Sequence, residues 1–307
     1  MDSSKTKPLD LLDQSQVSEL RKKNDLRNVI ALCFDWGMMA FGFYIFYVYP
    51  SVITFLVSVI IIGSRQFALA VLAHDGAHNL LFSNLKVNDF MAQWFCAYPI
   101  FQDNRVYRPY HLKHHRYTET DKDPDLSLSA PFPITKKSFL RKVFRDLTGL
   151  TGLKRYSSAL LSILNTESSG PTDKLLKVWN KIHGFLISNV IIFSVLSIFF
   201  HWYFYFLLWW IPAFTYYSLI IRIRNIAEHC VTPGDSGFDN TRTTHANLLV
   251  RFLMAPHRVN YHLEHHLFMF IPCYKLKHAH NLLVAKKYTD RMEIKKGYIP
   301  LLKSILV

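Results

Sequence analysis

Long apolar runs dominate the pattern of hydrophobic and polar positions along this chain. Four runs of about 20 residues contain almost no charge, and each is long enough to cross the hydrocarbon core of a bilayer as a helix. Asp35 is the only charge in the first run and Arg65 the only one in the second. Four such runs in 307 residues predict an all-α integral membrane protein with four transmembrane helices. The runs are residues 28–49, 51–73, 182–200 and 202–221.

Two short breaks between the runs predict the topology. Little more than Tyr49 and Pro50 joins the first two runs, and His201 joins the last two, so each pair is expected to form a hairpin that crosses the membrane and returns. Of the 36 Lys and Arg residues only Arg65 lies within a run, and a basic cluster at 21–23 precedes the first. The positive-inside rule therefore predicts that both termini and all extramembrane mass are cytoplasmic.

The predicted cytoplasmic mass consists of a long insert, 74–181, and a helical cap, 222–307, within a single domain that covers the whole chain. Residues 1–26 are polar and mixed in charge, which indicates a helix or tail and not a secretory signal. Residues 88–101 are aromatic but too short to span a bilayer, so we expect them in the membrane interface.

The two charges inside the first pair of runs lie at matching positions. Asp35 precedes Pro50 by 15 residues and Arg65 follows it by 15, so antiparallel helices would place them at similar depth. Because charges in a bilayer are rare and usually paired, the spacing predicts an Asp35–Arg65 ion pair.

Charge and cysteine content narrow the function classes. The net charge of +14 is explained by the bias of basic residues toward one side of a membrane, where they meet anionic headgroups, so we expect no nucleic-acid partner. The four cysteines are scattered without CxxC spacing, which indicates neither a disulfide framework nor an iron–sulfur site.

Clustered histidines carry the strongest chemical signal. The 15 histidines include the sequences HDGAH at 74–78, HLKHH at 111–115 and HLEHH at 262–266. On a helix, residues i and i+4 stack on one face and i+3 lies beside them, so HxxxH and HxxHH each present several imidazoles in one direction. At this histidine frequency HxxxH is expected about once by chance, whereas two HxxHH boxes are a coincidence of about one in a thousand.

The predicted topology brings all three boxes to one membrane face, together with a histidine shortly after the fourth run. Nine imidazoles exceed the four ligands of a structural zinc and suit two metal ions, although imidazole alone does not select iron, zinc or copper. The six remaining histidines, His183, His201, His245, His257, His278 and His280, are not predicted as ligands. The candidate ligands are His74, His78, His111, His114, His115, His229, His262, His265 and His266.

These boxes and their flanks resemble a known family. HDGAH, HLKHH and HLEHH occur in that order, HHRYTETDKDPD continues the second box, RNIAEH precedes the cap, and MAPHRVNYHLEHHLFMFIPCYKL surrounds the third box. The chain is thereby similar to the membrane fatty-acid desaturase and hydroxylase superfamily over roughly residues 30–285. The resemblance implies a di-iron enzyme that uses O2 as co-substrate and acts on acyl lipids or related apolar molecules.

The chemistry of the expected reaction favours iron over zinc as the metal. Removing hydrogen from an unactivated methylene requires a strongly oxidising metal centre, which redox-silent zinc cannot become. Carboxylates near the boxes are expected to orient the imidazoles, although each could also be a solvated charge or a loop cap. The preferred candidates are Asp75, Glu228, Glu264 and Asp125, the last in a stretch that also contains Asp121 and Asp123.

The leading interpretation is a desaturase that acts on the acyl chain of a fatty acid or lipid held in an aromatic tunnel. Close alternatives are a hydroxylase or ketolase of a lipid, alkane or carotenoid, and a fatty-acid decarboxylase that forms terminal alkenes. A histidine-rich metal transporter or receptor is a distant alternative, because a transporter places its ligands near the bilayer midplane.

The electron supply is expected to be a separate protein. The sequence contains no haem-binding HPGG, no Rieske CxH and no ferredoxin cysteine pattern. A ferredoxin, or a cytochrome b5-like carrier with its reductase, would suit the basic surface predicted for the cytoplasmic side.

Overall fold

The computed structural model describes residues 8–234 and 237–307. Helices account for nearly all regular structure in these two ranges, and the two strands are two residues each and pair in parallel. The prediction of an all-α fold is therefore confirmed. The elements are α1 (Pro8–Leu11), α2 (Gln14–Arg21), α3 (Asp25–Val48), α4 (Val52–Ala77), α5 (Leu85–Met91), α6 (Asn104–Tyr117), α7 (Leu126–Ser129), α8 (Lys136–Leu147), α9 (Leu150–Leu164), α10 (Pro171–Phe199), α11 (Ile211–Phe214), α12 (Tyr216–His229), β1 (Thr243–Thr244), α13 (Leu248–Leu253), α14 (His262–Leu267), α15 (Leu276–Ala285), β2 (Ile294–Lys295) and α16 (Tyr298–Ser304).

Four helical segments are long and apolar enough to cross a membrane, as the four runs predicted. They are α3, α4, α10 and the segment Tyr205–His229, in which a π-helix (Tyr205–Trp210), α11 and α12 follow one another. Three boundaries differ from the prediction by four residues or more: α4 continues past 73 to Ala77, the fourth segment continues past 221 to His229, and α10 begins at Pro171 rather than 182. The apolar runs mark only the lipid-facing length, whereas the helices continue into polar sequence at the end that carries the histidines.

The helices α3 and α4 pack closely along each other. Ser51 caps α4, since its hydroxyl accepts from the backbone N–H of Thr54 at 3.2 Å, and this fixes the turn after α3. Further along, the Ser58 hydroxyl donates to the Gly42 carbonyl at 2.7 Å. A Cβ at Gly42 would lie 2.9 Å from the Ile62 side chain, so only glycine permits this approach.

A buried polar network joins these two helices to the segment before the third histidine box. The Arg65 guanidinium donates to Asp35 Oδ1 at 3.0 Å, and both side chains are almost completely buried. The predicted ion pair is therefore confirmed as a contact. His257, which the sequence did not assign, bonds the other carboxylate oxygen through Nε2 at 2.7 Å. Arg65 also donates to the Phe252 carbonyl, so the pair anchors this segment from two sides.

The aromatic segment after α4, residues 88–101, packs against the end of α4, and its expected position in the membrane interface stays a prediction. It forms α5, a π-helix (Ala92–Ala97) and a 3-10 turn (Tyr98–Ile100), with one face buried against α4. A Cβ at Gly76 would lie 2.2 Å from the Ala92 Cβ, which shows how close the two elements are. Asn88 and Asn104 donate to the carbonyls of Gly76 and Ala73 at 3.0 and 2.7 Å, so the end of α4 is held from outside.

The N-terminal helices pack onto the C-terminal part of the chain. Leu11 of α1 and Leu20 of α2 are buried in a core that also contains Phe268, Ile271 and Leu283. Residues 8–21 of the polar N-terminal segment thus form an amphipathic cover over the region that follows the third histidine box.

Candidate metal centre

Each histidine box lies near the end of a helix or on a short helix that faces the others. His74 lies in the last turn of α4 and His78 caps that helix. The second box lies on α6, which Asp103 caps by accepting from the Arg105 N–H at 2.9 Å, and the third box forms α14. His229 is the last residue of α12, so the fourth apolar segment delivers a histidine directly to the other boxes.

All nine predicted ligands come together, and they divide into two groups. Within each group the candidate ligand atoms lie within 4.8 Å of one another. The first group contains His74, His78, His111, His115 and His265, and the second contains His114, His229, His262 and His266. Two groups of four or five imidazoles are the arrangement that two metal ions require.

The division follows from helix geometry. His111 and His115 are four residues apart and enter the first group, while His114, about 100° around the helix from His115, enters the second. In α14 the roles reverse: His262 and His266 share the second group and His265 joins the first. Each HxxHH box therefore contributes to both groups, so the two sites form one unit.

The spacing and burial of these nitrogen atoms fit metal ligation. Nε2 of His115 lies 2.9 Å from Nε2 of His111 and 2.9 Å from that of His265. Two metal–imidazole bonds of about 2.1 Å at a right angle would place their nitrogens roughly 3.0 Å apart. Nε2 of His74, His78 and His266 is buried and lacks a hydrogen-bond partner among the described residues, which is costly unless the atom binds something else.

The protonation of the cluster also suits a metal. Burial lowers the pKa of His78, His111, His265 and His266 well below the ordinary histidine value, and neighbouring imidazoles lower it further. These side chains are therefore neutral at physiological pH, and neutral imidazole is the form that binds metals.

Carboxylates support several of the imidazoles. Asp123 Oδ1 lies 2.9 Å from His114 Nδ1, while Asp125, the sequence candidate, lies 3.8 Å away and instead accepts from the Tyr110 hydroxyl at 2.5 Å. Asp75 lies 3.7 Å from His74 Nδ1 and accepts from the Cys273 N–H at 2.8 Å. Asp123 therefore orients the His114 ring. The sequence pattern includes Asp123 in this acidic stretch but favours Asp125.

The two glutamates predicted beside the boxes have different surroundings. Glu228 accepts from Arg224 at 2.7 Å and lies 3.6 Å from His262 Nε2. Glu264 bonds His280 Nδ1 at 2.6 Å and the Thr243 hydroxyl, so it braces α14 against α15 and β1. The fold also brings a carboxylate that the sequence did not single out, Glu119, to 3.7 Å from His229 Nδ1.

A cavity of about 260 Å³ adjoins the first histidine group. His74 forms part of its wall, and the remaining lining is mostly apolar and aromatic, including Phe67, Val71, Tyr107 and Tyr217. The cavity lies between α4, α12 and α9, so an apolar molecule inside it would lie against the candidate metal ligands.

Four membrane-length apolar helices and a buried double histidine cluster at their ends define a membrane protein with a candidate two-metal site. The chain belongs to the fatty acid desaturase family, which it matches over residues 50–294. It is 27% identical over 285 residues, covering 87% of this chain and 78% of the relative, to dihydrorhizobitoxine desaturase of Bradyrhizobium elkanii. The family and this relative support a reaction of the desaturase or hydroxylase type.

Proposed function

We propose that this protein is an oxygen-dependent di-iron desaturase that removes two hydrogen atoms from neighbouring carbons of an acyl chain. The observation that carries the proposal is the convergence of nine buried histidines into two adjacent groups within a chain of the desaturase family. The products would be a carbon–carbon double bond and two water molecules per O2, with two electrons and two protons supplied from outside.

The two histidine groups would each hold one iron. Their all-nitrogen donor set is compatible with several metals, and the need for an oxidising centre favours iron over zinc. Bound iron would supply the activation of O2 that hydrogen abstraction from a methylene requires.

The protein's own residues would position the ligands and keep water out. Asp123 fixes the ring of His114 by bonding Nδ1, which leaves Nε2 directed toward the other histidines. Asp75 lies 3.7 Å from His74 Nδ1 and would orient that ring from the same side, whereas Glu228 lies 3.6 Å from His262 Nε2, the nitrogen that faces His229. The aromatic walls of the cavity beside His74 would align an apolar chain and exclude bulk water.

The proposed substrate class is an acyl chain of a fatty acid or membrane lipid. The support is the family and the apolar cavity, which lies between helices of membrane length. The relative's name assigns it a different substrate, dihydrorhizobitoxine, so a non-acyl substrate is the second candidate.

We further propose that the histidine cluster and both termini are cytoplasmic and that a separate carrier donates the electrons. The basic residues support both statements, because positive charge marks the cytoplasmic side and would attract an acidic ferredoxin or cytochrome b5-like protein. Metal transport is disfavoured, since His74 and His229 lie at helix ends and not near the middle of the spans.

The test is lipid profiling by gas chromatography of a host that expresses the wild type, His265→Ala or His278→Ala. His278 is exposed and outside both groups, so its replacement is a matched control that should retain the product. A new unsaturated acyl species with the wild type and the control, absent with His265→Ala, is expected. An oxygenated product would show that the reaction is hydroxylation, and a shortened product would show decarboxylation. Zinc in place of iron in the purified protein would contradict the proposal.

A further inference from the structure

Three arginines outside the two histidine groups share one cavity. Arg27, Arg251 and Arg258 line a space of about 230 Å³ between the start of α3, the segment after α13 and Tyr274. The ion pairs within residues 8–234 and 237–307 leave these three guanidinium groups without a carboxylate partner. Arg27 lies over the Tyr274 ring at 4.6 Å, which leaves its charge uncompensated by any carboxylate. Three such cations around one cavity are an arrangement that an anion would stabilise.

The three arginines also repel one another electrostatically. Burial lowers the pKa of Arg258, and the nearby charges of Arg251 and Arg27 lower it further. This lowering reflects the cost of holding like charges together in a partly buried place. A bound anion would offset that repulsion.

The backbone at this cavity adopts a conformation that side chains disfavour. His257 and Arg258 are consecutive residues with φ angles of 50° and 65°, in the left-handed region that non-glycine residues rarely occupy. The bond from His257 to Asp35 holds the turn in place, and Arg258 is thereby directed to the cavity wall. Strained backbone of this kind is concentrated at ligand sites.

A second, apolar cavity continues from the first toward the middle of α3. Its volume is about 570 Å³, and it shares Arg27, Arg251 and His257 with the first. Ile30, Phe34 and Phe252 form its apolar wall, and Arg65, which is paired with Asp35, also lines it. Phe34 lies seven residues beyond Arg27, roughly 10 Å further along the helix. Ile30 and Phe34 are 60% and 48% exposed on a membrane-length helix, so this groove faces the hydrocarbon region.

We propose that Arg27, Arg251 and Arg258 bind the phosphate of an anionic membrane phospholipid whose acyl chain lies in the groove along Ile30, Phe34 and Phe252. The three arginines lie at the start of the span, at the depth of lipid headgroups, and the apolar wall lies deeper. The site is therefore charged at one end and apolar at the other, as an anionic phospholipid is. Because the site shares no side chain with the histidine groups, the proposal is independent of the reaction assigned to them.

The test compares lipid binding by the full-length protein and two charge-removing variants. Wild type, the double variant Arg27→Gln/Arg251→Gln and the control Arg141→Gln, an exposed arginine on α8, are purified in detergent and analysed by native mass spectrometry with phosphatidylglycerol or phosphatidylcholine. Wild type and control should bind one phosphatidylglycerol at least tenfold more tightly than phosphatidylcholine, and the double variant should lose that preference. Arg251→Lys, which keeps the charge, should retain most of it even if the double variant folds poorly.

Three outcomes would overturn the proposal. Equal phosphatidylglycerol binding by wild type and double variant would remove the arginines from any lipid site. Competition by millimolar inorganic phosphate, with no preference between the two lipids, would indicate a soluble anion as the ligand. Unchanged lipid binding combined with loss of turnover supported by an acidic electron carrier would assign the arginines to protein docking instead.

Discussion

Loss of His229 should affect metal binding at one site in particular, because His229 belongs to the smaller histidine group. That group has four histidines and would fall to three, whereas the other has five and would keep four after loss of His78. We expect His229→Ala to lower the metal content from about two ions per chain to about one, and His78→Ala to lower it less. Elemental analysis of purified protein, with His278→Ala as the control, measures this. Complete loss of metal from the His229→Ala protein would show that the groups do not bind separately.

Asp123 provides a second test on a single residue. Its carboxylate bonds His114 Nδ1, while the exposed Asp121 lies two residues away in the same loop. Asp123→Asn should weaken metal binding by about 10- to 100-fold, because the ring loses the partner that orients it and raises its basicity. Asp121→Asn should leave the affinity unchanged. Chelator titration of both variants gives the comparison, and equal effects would contradict the role of Asp123.

At the scale of elements, the Asp35–Arg65 pair couples α3 to α4. Removal of either partner leaves a buried charge without compensation, so Asp35→Asn and Arg65→Gln should each lower the free energy of unfolding by roughly 3–5 kcal/mol. The double variant should lose less than the sum of the two, since the charges need each other. Equilibrium unfolding in detergent measures the cycle, and strictly additive losses would mean that the contact contributes no coupling.

The contact between α4 and the π-helix after α5 predicts a glycine requirement. Gly76 lies between His74 and His78, and a methyl group there would overlap Ala92. Gly76→Ala should therefore separate the two elements, shift the first histidine box and lower both bound metal and thermal stability.

Gly37 on α3 is the matched control for that substitution, because nothing lies within 4 Å of a Cβ there. Gly37→Ala should be neutral or stabilising by about 1 kcal/mol through helix propensity. Thermal unfolding and elemental analysis of both variants test the prediction, and a harmless Gly76→Ala would show that the α4 contact is looser than the distances indicate.

At the scale of the whole molecule, the N-terminal helices α1 and α2 and the region after α14 meet around the third histidine box. The N-terminal helices pack on the region after α14, and Tyr274 accepts the Asn24 N–H on its hydroxyl at 2.7 Å. The box is thus enclosed by α1 and α2, by the region after α14 and by the residue that caps the first span. This enclosure explains how α14, only six residues long, presents three histidines without helical stability of its own.

The predicted orientation across the membrane can be tested by labelling. Two variants without the native cysteines would each carry one new thiol. His278→Cys places it on the same side as the histidine cluster, and Trp202→Cys places it at the turn on the opposite side; both positions are exposed. A membrane-impermeant maleimide should label residue 278 in inside-out vesicles and residue 202 only in right-side-out vesicles or after solubilisation. The reverse pattern would place the histidine cluster outside the cytoplasm.

The sequence alone determined the four apolar helices, the nine-histidine set and the family, because these depend on local patterns. Run length identifies a span, and i, i+3 and i+4 spacing places imidazoles on one helix face, whatever surrounds them. The Asp35–Arg65 contact could be predicted from the sequence for the same reason, since a short turn between two helices fixes their register.

Only the tertiary structure decided how these parts combine. Which group each i, i+4 pair joins depends on how α6 and α14 face α4 and α12, and no spacing within a box encodes that orientation. His257 reaches Asp35 across 222 residues of sequence, and Glu264 bonds His280 instead of a candidate ligand. Such contacts arise from packing between distant segments, where burial selects the partner that satisfies each polar group.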